Sequence, residues 1–391
     1  MKIFFVSPTG TLQLEQVSNY QTLKEVCSQY GIPSNSISAY GKKGNDTKIF
    51  TGLHKTISEM NDEFESITIR PDRNIDYLGI LNKTTLEKET IDSSAEYTFS
   101  DAQQPENNIH IHFTPDECQK FVLREVKKFV DQIENFDPDR KIVLGISGGG
   151  DSNMLIQAFL ATGKVLPQQL QAVMMCGIPD WDLGRDRAFK IANDHNIPLR
   201  FVEASEVNKL LGRTQDSDWV VDFEKSYPDV DLEVLGTFGV RLSLEKVAKE
   251  IDAQAIVIGL NLEDILAEGI FQILKGELPL PYPVRTIKDT NIWYPLYKCP
   301  KKILDGCYPK YSLQNYMDRY QSKMPGRAIA YYLAQNLNSV IPGSEFDMIN
   351  GLQKLSMKNQ DFWEYDKDLN LPTMDPVSLK SRERWKQFCH G

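Results

Sequence analysis

The sequence predicts an α/β protein. Its central unit is a parallel sheet with helices on both faces, preceded by a small α+β unit and followed by a mainly helical region. Three observations carry this. From residue 142 onward, short β-branched runs alternate with helix-length segments, the pattern of successive βαβ crossovers. One such run, Lys141-Ile-Val-Leu-Gly-Ile-Ser147, leads straight into Ser-Gly-Gly-Gly-Asp-Ser, a glycine-rich turn that opens a helix. The first 70 residues alternate apolar and polar side chains at the strand period, around two short amphipathic segments.

The elements follow in order. Lys2–Ser7 and Thr11–Val17 read as strands around a Pro8-Thr9-Gly10 turn, and Thr22–Tyr30 as a short helix stopped by Gly31. Ile37–Tyr40, Lys48–Thr51 and Glu65–Arg70 continue as strands, with a helical piece at Thr56–Met60. This order resembles a ubiquitin-like β-grasp unit over residues 1–78. Residues 79–113 are expected to be a linker: 80–108 are rich in Thr, Ser, Glu, Asp, Asn and Gln with few large apolar groups, and only Ile109–Phe113 reads as a strand. Thr114-Pro-Asp-Glu117 is a capping box with proline in the first turn, opening a helix with Val122, Val126, Phe129, Val130 and Ile133 on one face. Within the unit 114–300, strands are expected at 142–146, 170–175, 199–203 and 255–259, and helices near 152–161, 183–195, 240–251 and 262–275. Ligands of such sheets bind at the carboxyl ends of the strands. Residues 301–391 read as helical, broken at Pro325-Gly326 and Pro342-Gly343.

Composition narrows the function classes. No run approaches the roughly twenty apolar residues that span a bilayer, and Met1-Lys-Ile-Phe-Phe-Val-Ser-Pro is too short for a signal peptide, so a cytoplasmic location is expected. The six cysteines are scattered and form no Cys-x-x-Cys pair, which argues against a disulfide framework and against a zinc or iron–sulfur site built on such pairs. A net charge of −10 disfavours nonspecific nucleic-acid binding by the chain as a whole.

The glycine-rich turn has the chemistry of a phosphate loop. Gly148, Gly149 and Gly150 let backbone N–H groups approach an anion, Ser147 and Ser152 add hydroxyl donors, and the following helix N-terminus favours negative charge. Its spacing fits neither Gly-x-x-x-x-Gly-Lys-Ser/Thr nor Gly-x-Gly-x-x-Gly. The hexapeptide resembles the Ser-Gly-Gly-x-Asp-Ser signature of the N-type ATP pyrophosphatases, the PP-loop superfamily. That resemblance implies ATP as substrate, cleavage between the α and β phosphates, adenylation of an acceptor, and Mg²⁺ held at Asp151.

Further stretches resemble the tRNA 2-thiolation branch of that superfamily, over about residues 115–345. They are Ile258-Gly259-Leu-Asn261-Leu-Glu-Asp264, Phe238-Gly-Val-Arg241, Tyr294-Pro-Leu and Tyr320-Gln-Ser-Lys-Met-Pro-Gly326. The departures are equally informative. Leu235 and Phe238 stand where that branch keeps its Cys-x-x-Cys, Leu260 replaces the histidine of Gly-His-Asn, and Gly150 takes the loop's variable position. Neither leucine nor phenylalanine ligates a soft metal or carries sulfur, so a divergent relative without an iron–sulfur cluster is expected.

The candidate catalytic residues are Asp151, Ser152, Cys176 and Cys307. Nucleotide contacts are assigned to Ser147–Ser152, to Met175 and Gly177 after the second core strand, and to Gly259, Asn261 and Asp264 after the fourth. Each has a plainer reading: Asn261 as a helix cap, Cys176 and Cys307 as buried thiols, Asp180–Asp182 as a turn, and Arg185 and Arg187 as solvated charges. His110 and His112 share a strand face but are too few to define a metal site. Between Tyr282 and Arg327, nine basic residues interleave with Trp293, Tyr294, Tyr297, Tyr308 and Tyr311. This is either a tRNA-binding surface or a helical surface with aromatic core anchors. Three functions follow in order: an adenylating enzyme acting on a tRNA base, a small-molecule ligase forming an amide or thioamide, and a nucleotide-binding interaction protein using the β-grasp-like unit to meet a protein partner.

Overall fold

A computed structural model describes residues 1–7, 10–32, 34, 37–71, 95–100, 108–214, 217–308, 322–358 and 362–390. Two sheets with separate cores organise the chain. The first contains β1 (Lys2–Ser7), β2 (Gly10–Gln13), β3 (Ile37–Lys43), β4 (Asp46–Phe50) and β5 (Ser66–Pro71), in the order β2-β1-β5-β3-β4. β1 and β5 run parallel, with Ile3 opposite Ile67 and Phe5 opposite Ile69. The other pairs are antiparallel. Strict alternation along β5 sends Ile67 and Ile69 inward against Leu23 and Val26 of the helix Leu23–Gln29. That helix and Ile57–Glu63 each begin with a capping box, Thr22 with Glu25 and Thr56 with Glu59.

The segment expected as linker is in part paired. β6 (Ala95–Ser100) and β7 (Asn108–Phe113) form an antiparallel hairpin. Ala95 and Tyr97 are buried in the second core, and the Tyr97 hydroxyl donates to Glu345 Oε1 at 2.5 Å. The alternation Ala95, Tyr97, Phe99 was the available signal, hidden by the polar residues between. The rest of the expected linker, and Pro8 and Thr9 of the first turn, lie outside the described residues.

The second sheet has six strands: β8 (Ile142–Gly145), β9 (Leu170–Met175), β10 (Leu199–Val202), β11 (Ala255–Val257), β12 (Val284–Ile287) and β13 (Thr290–Trp293). Their order is β10-β9-β8-β11-β13-β12, parallel throughout except for the β12–β13 hairpin. Ile142, Val143 and Leu144 are all fully buried although successive side chains point to opposite faces, so both faces of β8 are covered. The helix Leu232–Glu250 packs across β8, β9 and β11, and the helices Pro115–Asp131, Gly150–Ala161 and Lys301–Cys307 pack on one another as a separate layer. The chain runs from β8 outward to β10, then crosses back to β11 on the other side of β8. This reversal opens a crevice at the carboxyl ends of β8 and β11. The hairpin β12–β13 went unpredicted. Its short strands turn at Lys288, whose φ of 53° is left-handed. A further antiparallel pair, β14 (Glu364–Asp366) and β15 (Leu371–Thr373), interrupts the helical C-terminal region. Among the described residues no helix is long and apolar enough to cross a membrane.

Candidate active site

The glycine-rich loop follows β8 and lies flat on the turn at Gly184–Ala188. Gly148 has φ +76°, and a Cβ there would sit 2.3 Å from the Gly184 carbonyl oxygen and 2.8 Å from the Ala188 nitrogen. Gly184 is constrained in return, since its own Cβ would approach Ser147 O at 2.3 Å. No side chain larger than hydrogen fits either position. The Ser147 N–H donates to Ser152 Oγ at 3.0 Å, and the two hydroxyls are 3.2 Å apart. Arg187 Nε donates to the Gly148 carbonyl at 3.2 Å. The helix Gly150–Ala161 begins at Gly149 with no side chain accepting from its first turn. A helix end of this kind presents amide donors and a positive dipole end to an anion.

Asp151, in that first turn, meets a residue the sequence did not single out. Lys301 Nζ lies 2.8 Å from Asp151 Oδ1 and 2.7 Å from Asp305 Oδ1, with its side chain only 5% exposed. Lys301 follows β13 through Pro300, and its backbone N–H donates to Glu263 Oε2 at 2.7 Å. Burial pushes the Glu263 carboxyl up to about 8. Asn261 begins the helix Leu262–Leu274 as a reciprocal cap: its Oδ1 accepts from the Asp264 N–H at 3.0 Å, while Asp264 Oδ2 accepts from the Asn261 N–H at 3.2 Å. The cap reading therefore holds, and both residues also line the cleft.

That cleft, of about 430 Å³, lies at the crevice between β8 and β11. Asp151 and Lys301 form its inner end. Three helices supply the outer walls, each through one stripe of side chains: Asp264, Ala267, Glu268 and Phe271 from Leu262–Leu274; Arg327, Tyr331 and Gln335 from Pro325–Val340; Glu233, Val234 and Thr237 from Leu232–Glu250. Spacings of three, four and seven or eight residues put each set on one helix face. Such a stripe was the signal available in the sequence, but mixed acidic, aromatic and small residues at this spacing match no single template.

Other predicted site residues lie elsewhere. Met175 is buried beneath Gly239, where a Cβ would come 2.8 Å from its sulfur. Gly177, at φ +115°, donates its N–H to both carboxylate oxygens of Asp182 at 3.1 Å. Gly259 meets only ordinary contacts from Leu155 and Leu296. Cys176 is buried, its thiol pushed up to about 11 mainly by desolvation, and Arg185 beside it pairs with Glu203. Cys307 is buried with Sγ 3.3 Å from the Ile303 carbonyl, and its thiol is raised further. Neither cysteine has the exposure or depressed pKa of a nucleophile.

The basic aromatic segment is largely internal. Tyr282, Trp293, Tyr294 and Tyr297 are buried, and Arg285 stacks over Tyr294 while donating to Glu268 at 2.9 Å. Arg327 is held by Asp231 at 2.9 Å and Glu233 at 2.7 Å. Lys288 donates to Asn370, and the Tyr308 hydroxyl to Gln157. Tyr282, Trp293, Tyr294 and Tyr297 are thus core anchors rather than an exposed stacking platform. Lys310, Tyr311 and Arg319 lie outside the described residues. Leu235 is buried, and Phe238 packs edge-on against Trp385 at 5.8 Å between ring centroids. No group of three or more metal-ligating side chains is present among the described residues, and His110 pairs with Thr98 at 2.9 Å.

No protein-family model and no curated protein matches the chain. Among solved structures it is similar to the U34-tRNA thiolase NcsA from Methanococcus maripaludis with its 4Fe–4S cluster. The two are 20% identical, the match covers 63% of this chain and 82% of that one, and the TM-score is 0.47. It is also similar to NMN synthetase from Francisella tularensis, at 13% identity over 68% and 100% of the two chains with a TM-score of 0.37. The NH3-dependent NAD synthetase from Campylobacter jejuni is 16% identical over 63% and 95%, with a TM-score of 0.32. At these identities the chemistry of the site itself has to carry the functional reading.

Proposed function

We propose that the protein is an ATP-dependent adenylating enzyme of the PP-loop type, releasing AMP and pyrophosphate. The observation that carries this reading is the meeting of Asp151 and Lys301 at an uncapped helix N-terminus, in the crevice of a parallel α/β sheet. Backbone N–H groups of Ser147–Ser152 receive the phosphates, and the Lys301 ammonium faces the negative charge that builds on the pyrophosphate as it leaves. Asp151 is the carboxylate suited to hold Mg²⁺, which screens that same charge. An acceptor oxygen attacks the α-phosphorus, the bond from that phosphorus to the β-bridging oxygen breaks, and the resulting adenylate is later displaced by a nucleophile. A carbonyl oxygen as acceptor needs no general base.

The acceptor we favour is a small molecule, the product an amide or thioamide. A tRNA base was the first expectation from the motif resemblance, but most of the described basic and aromatic residues of the 282–327 segment are buried or paired, Lys302 being exposed, and Leu235 and Phe238 are packed apolar side chains. These observations support a cluster-free ligase over a thiolase. The strand order β2-β1-β5-β3-β4, with its parallel central pair, supports reading the N-terminal unit as a ubiquitin-like β-grasp fold that meets a protein partner.

The test is turnover of ATP labelled at the α-phosphate, with Mg²⁺, in the presence and absence of bulk tRNA, comparing wild type with Asp151→Ala. AMP formed independently of tRNA and lost in the variant is the expected result. Stimulation by tRNA would return the acceptor to nucleic acid, and ATP binding without turnover would leave a nucleotide-binding interaction protein.

A further inference from the structure

The geometry points to Arg187 as the residue that aims the glycine-rich loop at its anion. It is a positioning residue: it acts on a backbone carbonyl and, through that carbonyl, on the amide that meets phosphate. This deepens the adenylation reading, and its bearing on turnover rests on that reading.

The point of action is the peptide unit between Gly148 and Gly149. Arg187 Nε donates to the Gly148 carbonyl at 3.2 Å. This peptide is trans, so its C=O and the Gly149 N–H lie in one plane and point in opposite directions. Holding the oxygen toward the guanidinium therefore turns the Gly149 N–H away from it. That N–H donates to no group among the described residues. A charged donor on the oxygen also polarises the peptide, which makes the N–H opposite it a stronger donor toward a phosphate oxygen.

The helix Arg185–Asp194 holds the guanidinium in place, because it meets the loop at both of its ends. At its start, a Cβ on Gly148 would lie 3.1 Å from Arg187 Cβ and closer still to the Gly184 oxygen, so loop and helix touch through backbone. The Gly184 oxygen is itself engaged by the Ala188 N–H at 2.8 Å. At its far end, His195 Nε2 lies 3.0 Å from Asn153 Oδ1, on the helix that the loop opens. Contacts at both ends fix where Nε can reach, as a preorganised donor requires.

The side chain at 187 lets donor and charge be separated. Lysine puts a methylene where arginine has Nε and carries its charge further out. Glutamine puts an amide nitrogen at the Nε position and carries no charge.

Titration calorimetry of the full-length protein with Mg²⁺ and α,β-methylene-ATP, whose α–β linkage resists cleavage, reads binding without turnover. Arg187→Met and Arg187→Lys should each bind about tenfold more weakly than wild type, the scale of one charge-assisted hydrogen bond, while Arg187→Gln stays within about threefold. Circular dichroism verifies that each variant is folded. Affinity restored by lysine and not by glutamine, an equal loss in all three variants, or wild-type affinity in Arg187→Met overturns the proposal. The two readings fail separately. Binding that follows the expected order in a protein forming no AMP sinks adenylation and keeps Arg187 as the positioning residue of the loop; AMP formation with unchanged binding in Arg187→Met sinks the role of Arg187 alone.

Discussion

Lys301 Nζ lies 2.8 Å from Asp151 Oδ1 and 3.1 Å from its Oδ2, joining residues 150 positions apart in sequence at the inner end of the cleft. The ammonium is almost wholly removed from solvent and also holds Asp305. One cation bridges both carboxylates, so it ties the glycine-rich loop to the helix Lys301–Cys307.

Removing that cation should cost both stability and activity. Lys301→Met removes the buried cation that Asp151 and Asp305 share, and deleting one partner of a buried pair costs roughly 3–5 kcal/mol. Urea denaturation should show this loss in Lys301→Met and a substantial recovery in Lys301→Met combined with Asp151→Asn. AMP formation should remain absent in both. A double variant as unstable as the single one would show that the pair is not coupled.

Gly148→Ala should abolish nucleotide binding, because the new methyl meets the Gly184 carbonyl and the backbone sits in the left-handed region. Gly163→Ala is the matched control: its φ of +71° is similar, but no atom lies within 4 Å of the added carbon. The control should lose about 1 kcal/mol and keep its ATP affinity. Fluorescent nucleotide titration of the two variants separates steric from purely conformational effects.

Glu263 predicts a pH dependence of stability. The fold keeps its carboxyl protonated up to about pH 8, whereas the unfolded chain loses that proton near the ordinary glutamate value of 4.5. Unfolding therefore releases a proton between those values, so stability falls as pH rises through this window and levels off above it. Glu263→Gln, which still offers an oxygen to the Lys301 N–H, should flatten the slope and raise the melting temperature at pH 8.5. An unchanged pH profile by differential scanning calorimetry would remove Glu263 as its source.

The cysteines should prove inert. All six are buried, and desolvation raises the Cys118 and Cys176 thiols to about 11. Iodoacetamide at pH 8 should label the native protein far more slowly than the urea-unfolded chain, and Cys176→Ser and Cys307→Ser should each retain AMP formation. Loss of turnover in either folded variant would restore a sulfur-carrying role.

Much of the fold was legible because its signals are local. The Thr114 capping box, the β8 run and the glycine turn each lie within a few consecutive residues, and each appears where expected. Asp151, Asn261 and Asp264, singled out for the same reason, all line the cleft. Lys301 was hidden because its partner is remote and its surroundings in sequence are basic, so it read as one of nine basic residues on a tRNA-binding or helical surface. Met175 and Gly177, assigned by a rule about strand ends, are not among the residues that line the cleft. β9 does end near the crevice edge, but packing under Gly239 and the Asp182 hydrogen bonds turn its last residues inward.

The position of β8 has a kinetic consequence. Strands flank it on both sides and its apolar residues are fully enclosed, so its amides can exchange with solvent only when the whole unit comes apart. The helix Pro325–Val340, which forms an outer wall of the cleft with several half-exposed side chains, pairs with no strand and is held by side-chain packing, by the Arg327 ion pairs and by a hydrogen bond from Asn338 to the Thr98 carbonyl. Deuterium uptake should therefore divide the cleft into a slow floor and a faster wall. In the proposed enzyme, ligand entry and departure would run on the clock of the wall, while the backbone after β8 would stay fixed from one catalytic cycle to the next.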